Sequence, residues 1–501
     1  GRPLFEDAAA MGLGRVGVID VGSNSVRLVV FDGAARSPAY FYNEKIMCDL
    51  GAGLSETGIL NPEGRVRALS AIRRFAALAE GMGITPLTAV ATAAVREASD
   101  GMNFRDEVLR ETGVKIWVID GREEARLSAQ GVLLGWPGSY GLVCDIGGSS
   151  MELADLAEGR VGRRVTSALG PLKLREIKGG KKAVKAYVKE TMAQLHSEME
   201  GEKAMRLFLV GGSWRAIARI DMERRGYPLT VLHEYRMTPA AVLETVDWIA
   251  SANLTELRKR TGIGAERMEV VPMAATVLRQ LVKVFKPKEI DISSYGIREG
   301  LLYEQMPDAL RKRDPLIEAC RYAEHSSARL PGFGRHLYDF LRPIYKSAPP
   351  ERLRLIKAAC LLHDVSWRAH PDYRDEAAFD NVTRANLGGL DHPGRVFLGV
   401  ALLHRYRNSR AGSRFAPLFD LLSPEQLKQA EILGKAMRFG AMFSINAPSE
   451  AGALHYFPKK RVLELVLHPK NEPLFGEVAA ARFNALANAM QVTTKVRVAR
   501  S

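Results

Sequence analysis

Three short glycine- and serine-rich turns follow apolar runs in this chain, and carboxylates stand beside two of them. The first is Asp20-Val21-Gly22-Ser23-Asn24-Ser25-Val26-Arg27 and the second Asp145-Ile146-Gly147-Gly148-Ser149-Ser150-Met151-Glu152. The third, Gly211-Gly212-Ser213, opens a segment of helical pattern. Glycine lets backbone N–H groups approach an anion closely, and successive amides form a positive nest. At the third turn a helix dipole adds to the effect. A single turn of this kind is ordinarily just a tight turn; three after strands, two of them repeated with an aspartate, point to phosphate. Asp145 and Glu152 flank the second tip, and a strand–turn–strand hairpin brings both to one hard cation. Mg²⁺ takes one or two carboxylates, with waters and phosphate oxygens completing its shell. Asp20 holds the matching place in the first turn, as a third candidate ligand. A lone aspartate at such a place often only braces its turn.

Two further groups bear on the same chemistry. Glu123-Glu124 begin a helix directly after the apolar run VKIWVID. Negative charge suits a helix N-terminus by itself; the functional reading is that one of the two points into a cleft as a general base. Arg96, expected at the end of the strand LTAVATAAV, is a candidate phosphate clamp, since a guanidinium binds phosphate oxygens in pairs.

The elements that must position these groups alternate between strand and helix over the first three-fifths of the chain. GRVGVIDVG, VRLVVFDG, LTAVATAAV, VKIWVIDG, SYGLVCDIGG and RLFLVGGS read as strands. NPEGRVRALSAIRRFAALAE reads as a helix capped by Asn61, with Pro62 in its first turn and Val66, Leu69, Ile72, Ala76 and Ala79 on one face. REEARLSAQGVLLG and WRAIARIDM are helices too. Such alternation implies α/β layers. It also contains a repeat: GVIDVGSNSVRLVVFD and LVCDIGGSSMELADL share one plan, which on this scale means a duplicated domain. The expected limits are 12–133 and 134–308 for the two copies and 309–501 for a mostly helical remainder. In that remainder ERLRLIKAACLLHDV, RVFLGVALLHRY and SPEQLKQAEILGKAMRFGAMF read as helices and KRVLELVLHP as a late strand. Leu353, Ile356, Ala359, Cys360 and His363 give the first of them its apolar spacing.

Bulk composition narrows the class. Of 501 residues 47% are hydrophobic and 26% charged, which is ordinary for globular proteins. No apolar run is long enough to span a bilayer, and the leader GRPLFEDAAAMGLG, with Glu6 and Asp7, does not read as a signal peptide. Four scattered cysteines, Cys48, Cys144, Cys320 and Cys360, suggest no disulfide framework. Cytoplasmic location is the expectation. The net charge of +14 is uneven: residues 309–501 carry 30 Lys+Arg against 18 Asp+Glu. A solvated basic surface or a polyanion-binding one both fit that excess.

The segments IDVGSNSVRL, TATAAVRE, IDGREEARL, CDIGGSSMEL, LVGGS and SYGIREGLLYE occur in the order seen in the exopolyphosphatase / guanosine pentaphosphate phosphohydrolase family. The resemblance covers residues 14–308. The remainder resembles the HD-related region that long members append. It implies a duplicated actin, sugar-kinase and Hsp70-like fold with the active site between the lobes. It implies Glu124, rather than Glu123, as the base, and Asp145 and Glu152 as Mg²⁺ ligands. Ser23, Asn24, Arg96, Gly147, Gly148 and Ser149 are then expected to line the phosphate site, with Gly22, Ser25, Arg27, Ser150 and the third turn beside them. The implied substrate is inorganic polyphosphate, with guanosine pentaphosphate (pppGpp) as the runner-up and a purely regulatory binder as the other class. A monovalent cation such as K⁺ joins Mg²⁺ as an expected cofactor. A homodimer is expected, without a membrane or specific nucleic-acid partner. Two departures stand out: Ser149 replaces a glycine of relatives, and Met273 stands where relatives favour glycine. His363-Asp364 resembles the HD dyad, with His336, His392 and His404 as available partners for a second metal.

Overall fold

Valine- and isoleucine-rich runs ending in the Gly/Ser turns form two hairpins of one design. The computed structural model describes residues 15–32, 36–84, 87–200, 206–306 and 308–500; the leader and the expected domain start at residue 12 lie outside them. Contacts divide the chain into two compact units, up to residue 315 and from residue 316. In the first unit β1 (Val16–Val21), β2 (Ser25–Asp32), β3 (Ala39–Met47), β4 (Leu87–Ala91) and β5 (Ile116–Val118) form a sheet of order β3-β2-β1-β4-β5. A second sheet holds β6 (Gly141–Ile146), β7 (Met151–Ala157), β8 (Arg160–Ser167), β9 (Arg206–Val210), β10 (Arg236–Met237) and β11 (Glu289–Ser293), in the order β10-β11-β9-β6-β7-β8. Apart from β10 the orders are the same, and so is the mixture of directions: the hairpin strands are antiparallel and the next two parallel. Register repeats as well. Asp20 pairs across its hairpin with Arg27 and Asp145 with Glu152. On the parallel side Asp20 pairs with Val90 and Asp145 with Val210.

The helices of this unit are α1 (Pro62–Gly81), α2 (Ala93–Glu97), α3 (Gly101–Thr112), α4 (Gly121–Gly135), α5 (Gly212–Arg225), α6 (Ala265–Phe285) and α7 (Ile297–Gln305), with others between. Three expectations are corrected here. On α1 the buried stripe is Ala68, Ala71, Ile72, Phe75 and Ala79, whereas Val66 is 69% exposed. The helix start packs at Gly64, where a Cβ would lie 2.4 Å from the Cys48 carbonyl oxygen, and that contact sets its rotation. Asn61 precedes α1 without capping it; its side chain donates to the Asp49 carbonyl instead. Arg96 does not end a strand: β4 stops at Ala91, and the alanine-rich AAVRE forms the single helical turn α2.

Helices α4 and α7 cross at backbone contact. A Cβ on Gly300 would stand 1.8 Å from the Leu127 carbonyl oxygen, and one on Gly131 would stand 2.3 Å from that of Gly296. Ala125, Ala129, Val132 and Leu133 of α4 pack with Val143, Ala154, Phe208 and Val210 of the second sheet. Leu127 and Leu301 pack instead with Val16, Val18, Val29 and Phe31 of the first. The crossing thus serves both sheets.

The second unit is mostly helical. Its main helices include α8 (Pro350–Leu362), α9 (Arg374–Arg384), α10 (His392–Tyr406), α11 (Pro424–Phe443) and α12 (Glu477–Met490). Helix α10 is buried on nearly every side, which explains why RVFLGVALLHRY is apolar almost throughout. On α8 the buried residues are Leu355, Ile356, Ala358, Ala359, Cys360 and Leu361, and Leu353 is only partly covered. KRVLELVLHP supplies β13 (Val462–Leu467), flanked by β12 (Gly452–Phe457) and β14 (Thr493–Val498) in a small sheet the sequence pattern did not announce. All four cysteines are buried. Among the described residues no helix is long and apolar enough to cross a membrane.

Candidate active site

The two hairpin tips meet. Ser149 Oγ donates to Ser23 Oγ at 2.9 Å, which makes a direct link between the turns. Each tip is built alike: Gly22 N–H donates to Ser25 O at 3.0 Å and Gly147 N–H to Ser150 O at 2.9 Å. The third turn closes the cavity from the other side. Gly211 has φ +122 and lies so near Ile146 that a Cβ would fall 2.3 Å from its carbonyl oxygen, which requires glycine on both counts. At Gly212 the missing side chain makes room for the Arg267 guanidinium, 2.5 Å from where a Cβ would be.

The cavity between these turns is lined by Gly22, Ser23, Asn24, Ser25, Arg27, Gly147, Gly148, Ser149, Ser150, Gly211 and Gly212, together with Asp20, Glu124 and Asp145. Three expected site residues stand just behind the lining. Arg96 has its Nη1 3.8 Å from Glu124 Oε2 and donates to the Ile119 carbonyl at 2.7 Å. Ser213 accepts from Arg267 at 3.1 Å. Glu152 is 1% exposed, its oxygens accepting from Ser150 Oγ at 2.8 Å and Thr166 Oγ1 at 2.7 Å.

Of the glutamate pair that opens α4, Glu123 turns away: it binds Arg126 at 2.6 and 2.9 Å, and its amide caps on Asp120. Glu124 turns inward, is 5% exposed, and has Oε2 buried without a hydrogen-bond donor. Burial, then the charges of Glu152 and Asp145, hold its carboxyl well above the usual range. Burial is also the first cause at Asp145, pushed up to about 6, and at Glu152, pushed up to about 8, against the hydroxyls that donate to them. Ser128 donates to Asp145 Oδ2, and Arg298 pairs with Asp20 Oδ2 at 3.0 Å. Glu124, Asp145 and Glu152 are acids crowded together in a dry place, which raises the pKa of each of the three.

Sequence reasoning missed most of the opposing charge. Lys45, Arg215, Arg267 and Arg298 join Arg27 in the lining. Burial and then Arg298 hold the Arg27 guanidinium below its ordinary value, and burial does so for Arg267. Burial, Arg298, Arg27 and Arg267 bring Arg215 to about 10. Desolvation and the neighbouring guanidiniums, Arg267 first, bring Lys45 to about 8. Arg298 lies within the quoted SYGIREGLLYE and Arg215 one turn into the helix after the third glycine turn, so both had a signal. Arg267 and Lys45 had none. Thr92 and Ala93, also in the lining, follow β4 as Gly212 follows β9, but carry no glycine to announce a turn.

Among the described residues no three His, Cys, Asp or Glu side chains form a ready cage for a metal ion. That suits a cation sharing its shell with water and substrate, as Mg²⁺ does. Asp20 and Asp145 each have one oxygen engaged and another left for such an ion, and each oxygen of Glu152 keeps a lone pair. The donor set fits. The HD-like dyad differs: His363 Nδ1 accepts from Arg405 at 3.3 Å, and both oxygens of Asp364 are held by Arg329. His404 contacts the Arg407 carbonyl and Glu431 rather than joining them.

The profile of the Ppx/GppA phosphatase family matches residues 29–309. The chain belongs to this family. A second profile, described as the exopolyphosphatase C-terminal region, matches residues 327–496. Exopolyphosphatase 1 of Mycobacterium tuberculosis is 26% identical over 330 residues, covering 64% of this chain and 95% of its own. The guanosine-5'-triphosphate,3'-diphosphate pyrophosphatase of Aliivibrio fischeri is 25% identical over 405 residues, covering 78% of this chain and 80% of its own. The crystal structure of an exopolyphosphatase from Cytophaga hutchinsonii superposes with a TM-score of 0.53 at 22% identity, over 58% of this chain and 97% of that one. The duplicated sheets are therefore the actin and sugar-kinase type of fold, followed by a mostly helical region, and the family is one of hydrolases.

Proposed function

We propose that this chain is an exopolyphosphatase, hydrolysing the terminal phosphate of inorganic polyphosphate with a water activated by Glu124. One observation carries the reading: a buried glutamate with an unengaged oxygen shares a cavity with five cationic side chains, and the described lining contains no aromatic residue. The cations match a chain of phosphates. A nucleotide base would find no ring there to stack on. The family, and the relatives named exopolyphosphatase, support the same reading.

Phosphoanhydride hydrolysis needs positioning and charge neutralisation more than covalent chemistry. Glu124 Oε2 orients the water and takes its proton. Arg215, Arg267 and Arg298 spread positive charge over the phosphoryl oxygens, and the turn amides add to it. Mg²⁺, when held by Asp145 and Asp20 with Glu152 behind them, supplies further neutralisation at those oxygens. Positive charge beside the acids also draws the Glu124 pKa down, towards the range in which a carboxylate accepts a proton.

Glu124→Gln is expected to lower phosphate release on the order of 10³-fold while leaving polyphosphate binding intact. Near-normal turnover in that variant refutes the assignment of the base. The second reading is hydrolysis of the 5′-terminal phosphate of pppGpp. It is favoured by the Aliivibrio fischeri relative, whose match extends over 78% of this chain. Rates on long polyphosphate and on pppGpp, each with and without EDTA, separate the two enzymes from each other and from a non-catalytic binder.

A further inference from the structure

The hydrolytic reading gives work to the guanidiniums of the cavity and leaves Lys45 without any. Lys45 lies on the outer strand β3, directly opposite Arg27 of β2, and both line the cavity. Residues paired in this way stand about 5 Å apart at Cβ, and like charges there repel. Arg215 of α5, Arg267 of α6 and Arg298 of α7 complete the cationic part of the lining. The neighbouring carboxylate on β3, Glu44, is held by Arg74, with oxygens accepting from it at 2.7 and 2.8 Å. Among the described residues Lys45 itself has neither an ion pair nor a hydrogen bond.

An ammonium surrounded by fixed cations is pushed towards the neutral amine, which is a nucleophile. A guanidinium keeps its proton throughout the physiological range. Of the five cations in the lining, Lys45 is therefore the one that can deprotonate near neutrality, and burial with the charges of its neighbours brings it to about 8. The cavity thus sets a nucleophilic nitrogen among groups that bind a phosphoryl group. The matching ligand carries an anionic phosphoryl end with an electrophilic carbon beside it. An acyl phosphate has both, since its carbonyl carbon is one bond from the bridging oxygen.

We propose that Lys45 is a covalent modification site for acyl phosphates, which dock their phosphoryl group on the arginines of the cavity and pass the acyl group to Lys45 Nζ. The amine attacks the acyl carbon, and the bond from that carbon to the bridging oxygen breaks. Orthophosphate leaves with the electron pair and takes up the proton that the nitrogen loses. The products are an amide and hydrogen phosphate. The amide is uncharged, so the cavity loses one of its five cations and part of its hold on a phosphate chain. The step rests on the cavity holding a phosphoryl group, as in the function proposed above, and not on hydrolysis.

The test incubates the full chain, stripped of metal with EDTA, with acetyl phosphate at about pH 8 and follows each acetyl-lysine by mass spectrometry. Lys45 is expected to react about 10-fold faster than the exposed Lys181, through the local concentration that docking gives. Tripolyphosphate is expected to slow Lys45 and leave Lys181 unchanged. A Lys45 rate no higher than that of Lys181 overturns the proposal, and so does a fast rate that tripolyphosphate does not slow. After treatment and return of Mg²⁺, KM for polyphosphate is expected to rise about 10-fold in the wild type. Lys45→Arg keeps the charge but takes no acyl group, and its KM is expected to stay as it was; an equal rise in that variant overturns the proposal. Phosphate release by the untreated chain is measured separately, so its absence counts against the hydrolase reading alone.

Discussion

In the hairpin β1–β2, Asp20 faces Arg27 across the strands; in β6–β7, at the same register, Asp145 faces Glu152. The frame around the two pairs is alike, in the order of the hairpin strands and their two parallel neighbours and in the hydrogen bond at each tip. One hairpin therefore presents an acid with a cation, and the other presents two acids. Like charges directly opposite destabilise a sheet, and here the hydroxyls of Ser128, Ser150 and Thr166 hold them in place. The comparison teaches that duplication supplied a frame with two equivalent places, and that a change of side chain at one position made one pair balanced in charge and the other acidic. Arg27 suits phosphate oxygens, and the acidic pair, with Asp20 beside it, suits a cation.

The strongest way to break the comparison is to neutralise the acidic pair. Glu152→Gln is expected to lower kcat about 10²- to 10³-fold, read by phosphate release at saturating Mg²⁺. On the basic side Arg27→Gln is expected to act mainly on binding, raising KM for polyphosphate about 10-fold with a smaller change in kcat. If both variants fall in kcat alone, the division of labour between hairpins is wrong.

A third test reads stability. The Glu152 carboxyl titrates near 8 in the folded chain, against ~4.3 unfolded. The folded state thus holds the proton longer, so this group's contribution to stability falls as pH rises from about 4 to 8 and is flat above. Without metal, Glu152→Gln is expected to melt about 2–4 °C above the wild type at pH 8, and the gain is expected to vanish at pH 4. A gain of equal size at both pH values removes the electrostatic explanation. The smallest effect is expected at the tip: Ser149→Gly, which deletes the bond to Ser23, is expected to change kcat/KM within about threefold.

The parts of this site legible in the sequence are those built from neighbours in the chain. The repeated Asp-x-Gly turns announced both the duplication and the hairpins, because a turn's chemistry is local. The inward glutamate was narrowed to two by the strand–helix junction; the family resemblance chose Glu124, and the structure shows why Glu123 is engaged elsewhere, on Arg126. Arg267 and Lys45 were illegible because they reach the cavity through tertiary packing, from the first turn of a long helix and from an outer strand. Val66 misled for a related reason: periodicity gives a face, but the contact at Gly64 decides which face turns inward. Arg96 misled because an apolar run was read through Ala91 into residues that form a helical turn.

The crossing of α4 and α7 has a consequence for biosynthesis. One face of the first sheet, with Val16, Val18, Val29 and Phe31, is covered by Leu127 of α4 and by Leu301, the latter from almost three hundred residues downstream. A nascent chain leaving the ribosome therefore carries part of that greasy surface uncovered until α7 has emerged, and Asp20 has no Arg298 to meet until then. Chains truncated before that helix are expected to aggregate rather than accumulate as a folded N-terminal half.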